Sequence, residues 1–290
     1  MLNRNKLMKN KLLSYIFNKN DFLVRYLYCR KNINRILFKL FFWKMYTSDF
    51  NKLDNNFEQI KKRLSKNGFD FENKVCLEIG PGNSYINAYN MLMNGAEKVI
   101  LVDKYPRYIK TKKQRDFVVD ELNYIKKKYK KSDLFFISNG KIDRKYIEFI
   151  PRELSEIQLN KEIDFVLSID VFEHVVNVKE NIAALSRVIK SGGYAFHRID
   201  LRDHYDFSNP SLFYKYENST WGKKLTCVGT SYTNRIRYKD FIDLFLNNNF
   251  NVVFEEKKRM EVNKNIKIVD EFKDRSDLDV GVLNILLRKK

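Results

Sequence analysis

The chain has 290 residues, 44% apolar and 14% aromatic, which is ample material for one large domain and excludes wholesale disorder. Three scattered cysteines, Cys29, Cys76 and Cys227, form no CxxC pair, which argues against a disulfide scaffold and a structural zinc motif. The net charge of +19 is concentrated: residues 1–50 carry 11 Lys/Arg against 2 Asp/Glu, residues 104–145 carry 14 against 5, and the remainder is nearly balanced. A neutral body with two basic attachments argues against a nucleic-acid partner, which would call for a basic body.

Residues 1–50 read as a basic amphipathic helical extension. Ile33, Ile36, Leu37, Leu40, Phe41 and Met45 recur at helical spacing, and Phe38, Phe42, Trp43 and Tyr46 add an aromatic cluster. Such a helix can lie on anionic lipid or pack on the main domain as a cover, and both readings stand. The segment has the charge of a signal peptide but no apolar h-region and no small-residue cleavage site. No apolar run approaches the length of a membrane span. The expectation is a cytoplasmic protein, peripheral to the inner face of the membrane if the lipid reading holds.

Residues 51–290 read as one α/β domain. A helix over 51–66 carries Phe57, Ile60 and Leu64 on one face, and Asn67-Gly68 ends it. Strands follow at 75–79, 99–102, 146–150, 165–169, 194–199, 252–254 and 282–287. Helices are expected at 85–93, 177–190 (stopping at Ser191-Gly192-Gly193) and 238–248. This alternation implies a mostly parallel sheet with helices on both faces. Residues 104–145 read as a basic insertion, a helix over 112–131 plus a loop.

The stretch that carries chemistry is Val75-Cys76-Leu77-Glu78-Ile79-Gly80-Pro81-Gly82-Asn83-Ser84. Glycines after a buried strand let the backbone pass close to a ligand, and the helix that follows favours an anion at its N-terminus. Asp103 ends the next strand, where a carboxylate can accept both hydroxyls of a ribose. The pattern is E-x-G-x-G-x-S, not GxGxxG. The acid at Glu78 would repel a pyrophosphate and can receive an ammonium, so a ligand with a ribose and an amino-acid head fits better than a dinucleotide.

At these residues the chain resembles the class I S-adenosylmethionine-dependent methyltransferases. LEIGPGNS is similar to their first motif and VILVD to their second. DFVLSIDVFEHV (164–175) resembles their fourth-strand motif, and SGGYAFHRID the turn and fifth strand. The stretches HRIDLRDH and YTNRIR (232–237) further resemble a bacterial small-molecule and glycan-type subgroup, some of whose members belong to surface-polysaccharide pathways. The resemblance implies a Rossmann-like, doubly wound, seven-stranded, mostly parallel sheet with a helical N-terminal extension. It implies S-adenosyl-L-methionine as cofactor, held by Glu78, Gly80, Pro81, Gly82, Asp103, Glu153 and Asp170, with Glu153 near the adenine.

All three histidines, His174, His197 and His204, fall at or beyond the fourth and fifth strands, where a methyl acceptor should lie. Transfer to a hydroxyl needs a proton removed, and imidazole suits that task near neutral pH. His204 is the favoured base. His197 reads equally as a packed strand residue, His174 as part of a helix start, and Asp170 as a group beside the reacting centre or a cap. His197, Asp200, Asp203 and His204 also have a metal-ligand composition, but they leave a strand rather than share a helix face, so no metal is expected. Tyr205, Phe207, Phe213, Tyr214, Tyr216, Trp221 and Tyr232 within 205–236 suit an aromatic cap over a sugar, or a local core under a long loop. The expected activity is methyl transfer to a small-molecule acceptor, most simply a sugar hydroxyl. The alternatives are RNA methylation and an inactive scaffold of the same fold.

Overall fold

The computed structural model describes residues 49–107, 109–159, 162–204, 207–225 and 233–290. The expected helical extension falls almost wholly outside these residues, as do Tyr205 and Tyr232 of the aromatic segment.

Helix α1 (Phe50–Lys66) opens where the Asp49 side chain accepts from the Lys52 N–H, and it buries Phe57, Ile60 and Leu64. It is followed by β1 (Val75–Ile79), α2 (Ile86–Met93), β2 (Lys98–Val102) and α3 (Lys112–Tyr129). Next come β3 (Ile147–Ile150), β4 (Ile163–Ile169), α4 (Val178–Val188), β5 (Ile189–Asp200), α5 (Tyr238–Asn247), β6 (Phe250–Arg259) and β7 (Val280–Lys289). The seven strands form one sheet in the order β3-β2-β1-β4-β5-β7-β6, parallel except for β7, which runs antiparallel to both neighbours. This is the Rossmann-like sheet expected from the sequence.

Alternation along the strands divides the core in two. Leu77 and Ile79 of β1 face the layer built by α4 and α5, while Cys76 faces the layer built by α1, α2 and α3. Burial on both faces explains why the parallel strands read as continuous apolar runs.

Three differences from the sequence reading have local causes. The SGG stop does not separate α4 from its strand. Ile189 already pairs with Ile163, and the chain then bulges so that Tyr194 meets Phe165. Gly193 sits in that bulge because a Cβ there would lie 3.0 Å from the carbonyl oxygens of Asp164 and Lys190. Strand β6 is longer than its apolar signal because it is the sheet edge, with Asn251, Glu255 and other polar residues alternating outward. The 104–145 insertion adds a small hairpin, Ile137–Ser138 against Lys141–Ile142, after α3.

Candidate functional site

The glycine loop leaves β1 at the carboxyl edge of the sheet. Gly80 has φ +66° and Gly82 φ +61°, the left-handed region that L side chains resist. A Cβ on Gly80 would lie 2.6 Å from a methyl of Val171, so this glycine also lets the β4 loop close in. A Cβ on Gly82 meets nothing within 4 Å, so the backbone here faces open space that a ligand can enter.

Glu78 lies under this loop and is only 3% exposed. Its Oε1 accepts from Asn87 Nδ2 at 2.8 Å, and its Oε2 has no partner among the described residues. Burial pushes its pKa up to about 8. Such an oxygen fits an incoming ammonium. Asp103, half-buried past the end of β2, accepts the Tyr105 N–H at 2.8 Å and is hydrogen-bonded by the Gly82 backbone, so it ties the two loops together. Glu153 follows β3 and pairs with Lys104. Gly82 and Asp103 are thus joined, with Glu78 near the end of β1, Pro81 in the loop between the glycines and Glu153 on the β3 side.

What braces this loop is not visible in any local motif. Glu121 of α3 is fully buried and accepts from Ser84 Oγ at 2.6 Å, the Tyr85 N–H at 2.9 Å and Arg107 Nη2 at 2.7 Å. Burial works against its charge and Arg107 supports it. The anion at the α2 N-terminus is therefore the protein's own carboxylate. The insertion, read from the sequence as a basic helix plus a loop, supplies both members of this buried pair. Nothing but spatial proximity joins residues 107 and 121 to 84, so no sequence spacing could have shown it.

The second half of the site lies past β4 and β5. Asp170 has φ +56° and pairs with Arg198, while its Oδ1 has no partner among the described residues. Glu173 is 1% exposed, its Oε1 accepts the Asp200 N–H at 3.3 Å, and its Oε2 likewise has no partner among the described residues. His204 is 8% exposed, with Nε2 3.7 Å from Asp200 Oδ2, beyond hydrogen-bond reach. Burial opposes ionisation of Asp200, but Arg202, bound through Nε at 2.8 Å and Nη2 at 2.6 Å, together with His204 holds it below the usual carboxylate range. The His174 and His204 rings meet edge to face with centroids 4.9 Å apart.

His197 is not with them. It is 0% exposed, stacked on Phe245 at 5.5 Å and bonded through Nδ1 to Ser168 Oγ at 2.7 Å. Burial lowers its pKa to about 3, so it is a neutral core residue, the packed reading of this position.

The aromatic segment also resolves toward its plainer reading. Phe213, Tyr214, Tyr216 and Trp221 form a separate buried cluster with Phe272 and Leu278. Arg235 and Arg237 run through it. Arg237 donates to the Leu201 carbonyl from both Nη atoms at 2.8 Å, and Arg235 donates to the carbonyls of Phe213 and Tyr216 at 3.0 and 2.5 Å. Asn234 donates to the carbonyls of Phe172 and Val175 at 2.7 and 3.0 Å and so holds the turn that carries Glu173 and His174. The NRIR stretch is thus a clasp on that turn. Phe207 is the described aromatic ring left beside the histidines, 5.5 Å from His204. A cleft of about 840 Å³ lies at the opposite edge of the sheet, lined by Asn73, Gly95, Lys98 and Tyr146 among others, away from all of these groups.

A family model described as a methyltransferase domain matches residues 51–254. The chain belongs to this methyltransferase family. It is an S-adenosylmethionine-dependent enzyme, and the orphan oxygen of Glu78 and the open face at Gly82 fit that cofactor. No curated protein sequence matches the chain. Among solved structures it is similar to an S-adenosylmethionine-dependent methyltransferase from Mesorhizobium loti, at 12% identity over 79% of this chain and 96% of that one, with TM-score 0.46. It is also similar to one from Methanosarcina mazei, at 14% identity over 78% and 96%, TM-score 0.45. A third is the N-methyltransferase NodS of Bradyrhizobium japonicum, solved with S-adenosyl-L-homocysteine, at 12% identity over 85% and 91%, TM-score 0.43. Among the described residues no helix is long and apolar enough to cross a membrane.

Proposed function

We propose that this methyltransferase acts on a hydroxyl of a small molecule, a sugar or sugar-derived metabolite, bound past the carboxyl ends of β4 and β5. The observation that carries the reading is the His174–His204 pair set beside Asp170 and Glu173, at the crevice where open α/β sheets bind ligands. In this reading Glu78 Oε2 receives the cofactor's ammonium, Gly80, Pro81 and Gly82 bring the loop backbone close to it, Asp103 accepts from the ribose hydroxyls, and Glu153 borders the adenine. The cofactor supplies a methyl carbon activated by positive sulfur. The protein's part is alignment of the acceptor and removal of its proton by the cluster at Asp170, His174 and His204. Phe207 gives an acceptor ring one apolar face to rest on.

The test uses purified full-length protein, methyl-labelled cofactor and a fractionated small-molecule extract of the source cells. The expected product carries the new methyl on oxygen, located by NMR. A methyl group found on nitrogen, or label recovered in RNA, would overturn the acceptor assignment. His204→Ala should lower turnover by about 10²–10⁴-fold with cofactor affinity unchanged, because the ring faces the acceptor.

A further inference from the structure

We propose that Glu173, His174 and His204 form a binding site for a divalent transition-metal ion beside the acceptor. One donor atom from each of the three lies within 4.8 Å of the others. A cation bonded at about 2.0–2.2 Å from nitrogen and oxygen holds its donors about 3–4 Å apart, so a modest closing of side chains completes the set. Two imidazoles and one carboxylate suit zinc or a neighbouring first-row ion and leave coordination positions open.

The polar bookkeeping around the cluster points to a ligand independently of the spacing. Glu173 and His204 are both more than nine-tenths buried, and Glu173 Oε2 and both ring nitrogens of His204 have no hydrogen-bond partner among the described residues. Buried polar atoms are rarely left so. Three carboxylates meet here, Asp170, Glu173 and Asp200, but the two nearby guanidiniums are already engaged, Arg198 by Asp170 and Arg202 by Asp200. Glu173 therefore has no ion-pair partner among the described residues. Asp200 stands 3.7 Å from His204 Nε2, the place of a carboxylate that orients a ligating imidazole through its second nitrogen. Asn234 fixes the turn that presents Glu173 and His174, so two of the three donors are held in place before any ion arrives.

This deepens the hydroxyl reading above and rests on it for the acceptor's position. It makes His204 a ligand, and the ion the group that acidifies the acceptor. An acceptor hydroxyl bound at an open position loses its proton to Asp170 Oδ1, and its oxygen pair forms the new O–C bond. The C–S bond breaks at the same time, and its electron pair stays on sulfur as a neutral thioether.

The experiment uses untagged full-length protein, stripped with a chelator and dialysed, then titrated with Co²⁺ and, separately, Zn²⁺. The expected result is uptake of about one ion per chain, with a Co²⁺ visible absorption band typical of nitrogen and oxygen ligands. His204→Ala and the more exposed His174→Ala should each weaken uptake by more than about tenfold, and Asp200→Asn by about 10–100-fold. Asp103→Ala, which lies in the cofactor half, should bind the ion normally while losing cofactor. Stripped wild type should bind S-adenosyl-L-homocysteine yet turn over no hydroxyl acceptor until the ion returns. No uptake by the stripped wild type, or equal uptake by both histidine variants, would overturn the site and leave methyl transfer standing. Full turnover by stripped protein would return the proton to an imidazole and overturn it as well.

Discussion

At the scale of single residues, Glu78 is the position where fold stability and cofactor binding oppose each other. An ordinary glutamate releases its proton near pH 4.3, and burial moves Glu78 up to about 8. Between those values the unfolded chain has lost the proton and the folded chain keeps it. The folded state then binds more protons, so stability falls as pH rises through this window. Glu78→Gln keeps an oxygen for Asn87 and removes the ionisation. The cofactor-free variant should therefore show a shallower loss of Tm than wild type between pH 5 and pH 8, by scanning calorimetry. The same variant should bind S-adenosylmethionine more weakly, because an amide cannot neutralise the ligand's ammonium. Wild-type binding near neutral pH should also release a proton, seen as a buffer-dependent heat. The two glycines separate the same way. Gly80→Ala combines a strained φ with a Cβ 2.6 Å from Val171 and should cost about 1–3 kcal/mol in urea unfolding. Gly82→Ala meets no atom and should cost about 1–2 kcal/mol from backbone strain alone, so its larger effect belongs in cofactor affinity.

At the scale of elements, α3 is a brace for the glycine loop. Its Glu121 satisfies the start of α2 and neutralises Arg107, whose guanidinium also lies over Tyr85 at 4.8 Å. Glu121→Ala would leave a buried guanidinium without its counter-ion, a change that typically costs about 3–5 kcal/mol. The expected outcome is a strongly lowered urea midpoint and weakened cofactor binding. Replacing both Arg107 and Glu121 with apolar residues should recover most of the stability but not the affinity, because Ser84 and Tyr85 lose their anchor. A double-mutant cycle measures this directly. This element also marks where sequence reasoning stops. The parallel strands, the glycine loop and Asp103 were legible because each depends on local pattern: apolar runs, turn residues and an acid at a strand end. Glu121 was illegible because an acid in a basic helix, next to a second acid at Asp120, gives no sign that it faces inward. Arg235 and Arg237 were illegible for the same reason, since guanidiniums read as solvent-facing until the carbonyls that hold them are known. The aromatic segment shows the converse limit: composition left a cap and a local core both open, and packing makes Phe213, Tyr214, Tyr216 and Trp221 a core.

At the scale of the whole molecule, much of the positive charge and the chemistry fall in different stretches of the sequence. The groups proposed for cofactor and acceptor all lie between Glu78 and Phe207, and the clasp and brace that hold them lie between Ser84 and Arg237. Residues 1–48 carry 11 Lys/Arg against 1 Asp/Glu. The other basic segment is partly spent within the fold: Lys128 is held by Asp54 at 2.5 Å and Glu58 at 2.7 Å. Long-range attraction to an anionic surface should therefore come chiefly from residues 1–48. It should fade with salt, since screening reaches about 10 Å at 0.1 M. Full-length protein is expected to co-sediment with phosphatidylserine-containing vesicles at low salt and to release as salt rises. A variant lacking residues 1–48 should lose that association while retaining its affinity for S-adenosyl-L-homocysteine by calorimetry. Vesicle binding that survives the deletion would move the contact to the α3 lysines. A folded deletion variant that no longer binds cofactor would instead make the segment part of the site's closure.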